Sequence, residues 1–509
     1  MQFLLLICLM IVCLPIDWPM PPRRASVADG VLLTAAMAAC LIFAAGLIAF
    51  AALRGLARRP RESEVIGKRY RSARTYFFFA QLAGFAVSLW WLGWGWCARQ
   101  IGTITWDDRS FLIPFGELLI LAPFLLVQVA SLLFFFCAER GFHRLHASGS
   151  RRERFWTWRG YVLFFLRQQL VIVFAPLFLL MTQQGLERLY PESMRASWLP
   201  FASLLVLPAF LVFFPLILPP LLGLKRMPEG PARARLEANA RRLRFRYSQI
   251  YFWDTRGGMA NAMIVGIVPW LRYVVFTDRL LEELTEDEVD GVFGHEVGHA
   301  HYGHILYYGL FLILSFVLMG AIVQAVRLAD EDLRKYRTLY LIAPVALVAA
   351  YMFAVFGFIS RRCERQADVF GCRAVSCEVH HCPGHDRETL FPAGGAGLCT
   401  TGIAAFIRAL KRVEDVNDMN RPPPPWRGVG ILGKAHYIFR LLTGWLYTWQ
   451  HSTISKRTAF LERVAKDPAL ERRFQFRIWA LKWAIALGLI GALVGLGMWR
   501  GWSVLWLAL

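Results

Sequence analysis

Of the chain's 509 residues 57% are hydrophobic and only 18% charged, against ~45–50% and ~25% in soluble domains, which argues against a wholly soluble protein. The 57 Lys+Arg exceed the 36 Asp+Glu by a formal +21, a balance that points to nucleic acid in a soluble chain but to basic cytoplasmic loops in a membrane protein. No nucleic-acid-binding motif accompanies the charge, so a lipid bilayer is the expected partner and nucleic acid is not.

In chain order, the opening run Phe3–Leu14 is short for a span and has no Lys or Arg before it, so it fits neither a signal peptide nor a clear anchor. Crossing a ~30 Å hydrocarbon core takes ~20 apolar residues. Eight stretches meet that length: Val31–Leu53, Thr75–Cys97, Leu118–Cys137, Tyr161–Thr182, Trp198–Leu224, Leu306–Val326, Thr338–Phe358 and Ile478–Trp499. The expected organisation is therefore an N-terminal apolar segment and outer tail (1–30), a five-span region (31–224), a hydrophilic segment (225–305), a two-span hairpin (306–360), a second hydrophilic segment (361–477) and a C-terminal span (478–509).

Basic residues set the orientation, because Lys/Arg-rich short loops stay in the cytoplasm. Loop 54–74 carries eight, loop 98–109 two, loop 138–160 six and loop 183–197 two. That alternation puts both hydrophilic segments on the cytoplasmic side, and the preponderance of Arg over Lys favours a bacterial inner membrane. Arg167, Gln168 and Gln169 interrupt the fourth span; either Arg167 snorkels to the interface or these groups face a wet cavity. Pro200, Pro208, Pro215, Pro219 and Pro220 predict kinks in the fifth span, and Pro422–Pro425 reads as a stiff linker.

The eleven His and ten Cys are unevenly placed. Four histidines fall between His295 and His304, within a segment that begins Thr285-Glu-Asp-Glu288, a capping box that starts a helix. Val289, Val292 and Phe293 give that helix a buried face. His295 and His299 are then one turn apart on one side, where two imidazoles can converge on zinc. Glu296 between them suits a general base, taking a proton from the attacking water and returning one to the leaving amine. A catalytic zinc needs a third protein ligand. Glu364 can supply it from the helix after the seventh span, with Asp368 at i+4 accepting the outer N–H of a ligand histidine. Two spans separate His299 from Glu364, and an even number of crossings returns the chain to the same face. His301 and His304 are expected at an interface, off the zinc side.

His295-Glu-Val-Gly-His299 followed by His304, with Glu364 and Asp368 in an E-x-x-x-D pattern, resembles the M48 family of integral-membrane zinc metallopeptidases, which includes CaaX prenyl proteases and HtpX-type quality-control proteases. Asn261-Ala262 and Val274–Leu281 resemble the family's strand pair before the zinc helix, and His451 with Arg457 resembles its H-P-x-x-x-x-R segment, Ser452 replacing the proline. The likeness covers roughly residues 245–465; the eighth span and the insertion at 376–400 depart from it. It implies an α-helical polytopic membrane protein with a mainly α, small-sheet, gluzincin-type catalytic domain that hydrolyses peptide bonds of protein or peptide substrates. His295, His299 and Glu364 would ligate one catalytic Zn2+, Glu296 act as base, His451 stabilise the oxyanion, and Arg457 hold a carboxylate or backbone. Met259–Val265 would be an edge strand, binding substrate through Asn261 and Ala262. CaaX-like processing and quality control both fit. The alternative from another class is a non-proteolytic membrane scaffold or transporter that keeps a metal site.

Five cysteines fall between Cys363 and Cys399. Cys377, Cys382, His385 and Cys399 are either a second, structural zinc site or incidental thiols in an insertion, disulfides being disfavoured on a reducing face.

Overall fold

A computed structural model describes residues 26–106, 109–112, 117–146, 155–171, 199–329, 347, 350–377, 382, 397–417, 449–502 and 505. Phe3–Leu14, most of the Thr338–Phe358 span, Pro422–Pro425, His380, His381 and His385 lie outside them. The chain divides into two compact units, Gln2–Leu199 and Pro200–Leu509.

The first unit contains helices α1 (Val27–Arg58), α2 (Ser63–Trp90) and α3 (Trp94–Gly102), a hairpin β1 (Thr103–Trp106)–β2 (Arg109–Leu112), α4 (Glu117–His146) and α5 (158–171). Ser26 and Asp29 close a reciprocal capping box at the start of α1. Ala38, Ala45, Ala49 and Ala52 then form a small-residue face on α1 that packs with Tyr70 and Phe77 of α2 and Val127, Phe135 and Ala138 of α4. Close backbone approach of this kind associates helices where lipid offers no hydrophobic drive. The expected basic loop 54–74 is mostly helix: α1 runs to Arg58 and α2 begins at Ser63, so both helices project beyond their apolar stretches. Arg74, within that stretch, pairs with Glu139 of α4. The expected span Thr75–Cys97 is a broken one, bent by 65° between α2 and α3, where Gly93 takes φ +73°, a conformation that favours glycine.

The second unit begins with α6 (Leu199–Leu222), which continues through Pro208, Pro215, Pro219 and Pro220 as one helix. A four-stranded sheet follows in the order β3 (Lys225–Arg226), β4 (Gln249–Trp253), β6 (Tyr273–Thr277), β5 (Ala262–Val265). β4 and β6 are parallel, while β5 runs antiparallel to β6 with Ala262 opposite Phe276. β5 is thus an edge strand, shorter than the expected 259–265. Helices α7 (Pro231–Arg242), α8 (Asp278–Glu283), α9 (Glu286–His301), α10 (His304–Ala329), α11 (Gly357–Ala374), α12 (Thr400–Val416), α13 (Ile454–Lys466) and α14 (Pro468–Arg500) complete the unit. Among the described residues, four helices are long and apolar enough to cross a membrane (in α1, α4, α10 and α14), five if the bent α2–α3 pair is counted as one span. The protein is a predominantly helical, multi-pass membrane protein with a small sheet.

Helix α9 is anchored on both sides. Val289, Phe293 and Val297 enter a core with Ile264, Val274, Phe276 and Leu280, and the buried Asp290 accepts hydrogen bonds from Arg235 and Asn239 of α7. On its other side α9 meets α11 almost backbone to backbone. A Cβ on Gly294 would stand 2.2 Å from the Ala374 Cβ, and one on Gly298 would stand 2.8 Å from the Phe370 Cβ. Interior helical glycines each cost roughly 0.5–1 kcal/mol relative to alanine. Here they permit the close crossing that brings a carboxylate of α11 to the histidines of α9.

Candidate metal centre

The Thr285–Glu288 capping box starts α9 in the structure as well, and the helix turns His295 and His299 to one side. Their Nε2 atoms lie 3.2 Å apart. Glu364, buried on α11, places Oε2 at 3.7 Å from His295 Nε2 and Oε1 at 3.7 Å from His299 Nε2. One donor atom from each residue falls within a common 4.8 Å. Tetrahedral zinc with Zn–N bonds of about 2.0–2.1 Å separates two imidazole nitrogens by roughly 3.3–3.4 Å. The observed separation matches that edge, and two imidazoles with one carboxylate form a donor set that catalytic zinc takes. The residues therefore fit the ion.

Each histidine has a partner behind it. Asp368 Oδ1 lies 3.0 Å from His295 Nδ1. Behind His299 stands His304, with Nδ1 atoms 2.9 Å apart. His304 is not at an interface but fully buried, because the chain breaks at Gly303 (φ +62°) and folds the next helix back. Its Nε2 lies 3.0 Å from Gln366 Oε1. Lys482 of α14, which can only donate, lies 3.3 Å from the same oxygen, identifying it as the amide's acceptor. His304 therefore donates from Nε2 to Gln366, its neutral ring accepts at Nδ1 from His299 Nδ1–H, and the lone pair of His299 is left on Nε2 toward Glu364. Gln366 in turn donates to Gln475 Oε1 at 2.6 Å.

Arg457, buried on α13, ties the carboxylates together. It donates to Asp368 through Nε (2.9 Å) and a terminal nitrogen, and another terminal nitrogen lies 3.5 Å from Glu364 Oε2. Burial pushes the Asp368 carboxyl up, but the Arg457 guanidinium and His295 more than reverse this, holding it below the usual range. Burial likewise opposes ionisation of Glu364, and His451 and Arg457 bring it well below its ordinary value. Glu296 has no such compensation: burial lifts its carboxyl to about 7, against the opposing pull of His295 and an N–H from Ile264 of β5. Burial and His295 lower His299 to about 4, which keeps its ring neutral, as a ligand requires.

His451 places Nδ1 2.8 Å from Glu364 Oε1 while its side chain stays 62% exposed. The following Ser452 has φ +63°, which proline, locked near −65°, cannot adopt. This backbone thus requires the departure from H-P-x-x-x-x-R. On the edge strand the Asn261 main chain turns inward to Thr277, so Asn261 does not offer its backbone outward. The two-residue period puts residues 260, 262 and 264 on the outer edge. Ala260 is already paired there, exchanging both main-chain bonds at 2.8 Å with the side-chain amide of Asn417. Phe406 of α12 stacks on the His295 ring, centroids 6.1 Å apart. Sequence reasoning singled out none of Gln366, Phe406, Asn417 or Gln475, and Gln366, two residues from Glu364 on a helix, has no spacing that marks it for the same site.

Residues 231–384 match the sequence profile of Peptidase family M48. Similar curated proteins include the probable CAAX prenyl protease 1 of Schizosaccharomyces pombe, 27% identical over 181 residues (33% of this chain, 36% of that protein). The CAAX prenyl protease 1 homolog of Oryza sativa subsp. japonica is 29% identical over 100 residues (19% and 24%). The aligned part of this chain thus spans about a third or less of these relatives' length. A crystal structure of S. mikatae Ste24p superposes with a TM-score of 0.45 and 16% identity, covering 87% of this chain and 100% of that one. The segment that carries His295, His299 and Glu364 is thus an M48 peptidase domain, set in a multi-pass membrane protein.

Proposed function

We propose that the chain is a membrane-embedded zinc endopeptidase in which His295, His299 and Glu364 hold the ion and Glu296 is the general base. The observation that carries this reading is the convergence of two imidazole nitrogens and a carboxylate from two helices, with a second, lifted carboxylate beside them. Zinc bound there supplies a Lewis acid that polarises the scissile carbonyl and acidifies water.

The protein's own groups do the rest. Glu296, titrating near neutrality, takes the proton of the attacking water and passes one to the departing amine. An extended peptide adds to the outer edge of β5 at Ala262, held by main-chain hydrogen bonds with little demand on its side chains. Because the Ile264 N–H on that same edge is near enough to the Glu296 carboxyl to pull against its rise, a peptide laid along β5 arrives beside the base. His451 gives Nδ1–H to the Glu364 carboxylate, and in the doubly protonated form that this carboxylate favours it presents Nε2–H on its exposed side as the donor for the developing oxyanion. Arg457 keeps Glu364 and Asp368 ionised. The alternation of basic residues puts this centre on the cytoplasmic face.

His304 acts as a positioning residue that fixes the tautomer of His299. His304→Ala is expected to weaken zinc retention about 10–100-fold in competition with a chelator, while His304→Asn, which can still accept from His299 Nδ1–H, keeps part of it. Unchanged zinc affinity in His304→Ala would remove this role.

The relatives' names favour a prenylated C-terminal peptide as substrate, whereas edge-strand capture suits any extended segment of an unfolded or membrane protein. Purified full-length protein should be assayed in liposomes with a prenylated CaaX peptide and with an unstructured protein. Cleavage of at least one, abolished by chelation and restored by zinc, is expected. Zinc-loaded protein that cleaves neither would instead favour the scaffold or transporter.

A further inference from the structure

Beyond the end of α11 a second group of soft donors comes together. Cys377, Cys382 and Cys399 are buried, and their sulfurs lie within 4.8 Å of one another. They arrive from a short span of chain: Cys377 is three residues past α11, and Cys399 is the N-cap residue of α12. Thiolates around a tetrahedral zinc, with Zn–S about 2.3 Å, stand roughly 3.8 Å apart, a spacing that falls inside the 4.8 Å within which these sulfurs are gathered.

One of the three sulfurs is already an acceptor of backbone hydrogen bonds. Cys399 Sγ accepts the backbone N–H of Cys377 at 3.4 Å and of Gly402 at 3.1 Å, and it sits at the positive end of the 17-residue helix α12. The pocket is also held rigidly. The Cys399 N–H reaches Ser376 Oγ at 3.2 Å, and Ser376 Oγ donates to the Cys372 carbonyl at 2.7 Å. Cys382 meets Thr401 twice, Sγ and carbonyl each 3.0 Å from its hydroxyl. A Cβ on Gly402 would stand 2.3 Å from Ser376 Oγ, so α12 is seated directly on the turn that carries Cys377. Three sulfurs are an odd number that disulfides cannot pair completely, and a dithiol pair would not need the third.

We propose that Cys377, Cys382 and Cys399 bind a structural zinc ion through three thiolates, separate from the catalytic centre. The ion ties the end of the helix that carries Glu364 and Asp368 to the start of the helix whose Phe406 stacks on His295. It thereby braces the packing of α11 and α12 behind the active site.

The test is metal content of full-length protein purified in detergent under reducing conditions, read by mass spectrometry of the metal. Two zinc ions per chain are expected in the wild type, and one each in His299→Ala and Cys399→Ser. Cobalt loaded into His299→Ala should show thiolate-to-cobalt charge transfer in the near ultraviolet. A His299→Ala protein that is folded and free of zinc, or whose cobalt spectrum lacks the thiolate band, overturns the proposal. So does an intact mass showing a disulfide among the three in reductant. Because the wild-type and His299→Ala measurements decide the matter alone, a Cys399→Ser variant that fails to fold leaves the test intact.

Discussion

Glu296→Gln is expected to keep its catalytic zinc and to lose peptide cleavage by about 10²–10⁴-fold, the usual worth of a general base. The substitution preserves size, and the packing of α9 against β5 through Phe293, Val297 and Ile264 is untouched. What disappears is a carboxylate able to take a proton near neutral pH. Cleavage should be measured as single-turnover rate on the better of the two substrate classes, with zinc content determined on the same preparation. Zinc retained with the rate unchanged would exclude Glu296 as the base. A rate lost together with the zinc would assign Glu296 to holding the site instead.

The second large effect is expected on stability. Arg457 is the cation that spans Asp368 and Glu364, and all three are buried. Removing one member of such a group leaves uncompensated charge in the interior, which costs about 3–5 kcal/mol. Arg457→Met, which keeps much of the stem's volume, should therefore unfold at markedly lower temperature in detergent and release zinc at lower chelator concentration. Arg457→Lys should recover only part of the loss, because an ammonium cannot reproduce the fork that engages both oxygens of Asp368 while reaching Glu364. If Arg457→Met melted like the wild type with its zinc in place, the carboxylates would not depend on this guanidinium.

Local signals carried the placement of the chemical groups. Thr285 and Glu288 announce the start of α9 without tertiary information, and spacing of four residues puts His295 with His299 and Glu364 with Asp368 on shared helix faces. Apolar length alone located α1, α4, α10 and α14. The misses have another origin. His304 reads as off the zinc side only if α9 continues past His301, and a left-handed Gly303 ends it and returns the histidine beneath His299. Gly93 likewise breaks a run whose composition is that of a single span. Helices also outlast their apolar stretches, since a bilayer sets the length of the hydrophobic part and not where hydrogen bonding stops; hence loop 54–74 is largely helical. The edge strand begins at Ala262, not Met259, because its partner β6 gives way to α8 after Thr277, and the Asn417 amide takes up Ala260 from 157 residues away, a contact that no local pattern encodes. Gln475 and Lys482 were out of reach for the same reason.

The chain of hydrogen bonds behind His299 reaches Gln475 and Lys482, and both belong to α14, one of the described helices able to cross a membrane. A soluble catalytic fragment cannot therefore be cut from this protein by removing its C-terminal anchor. Trimming α14 would withdraw the lysine and glutamine that orient Gln366, and with them the proton arrangement that keeps a lone pair of His299 aimed at the ion. Evolution or engineering that detached the protease from its membrane would have to rebuild that support from another part of the chain.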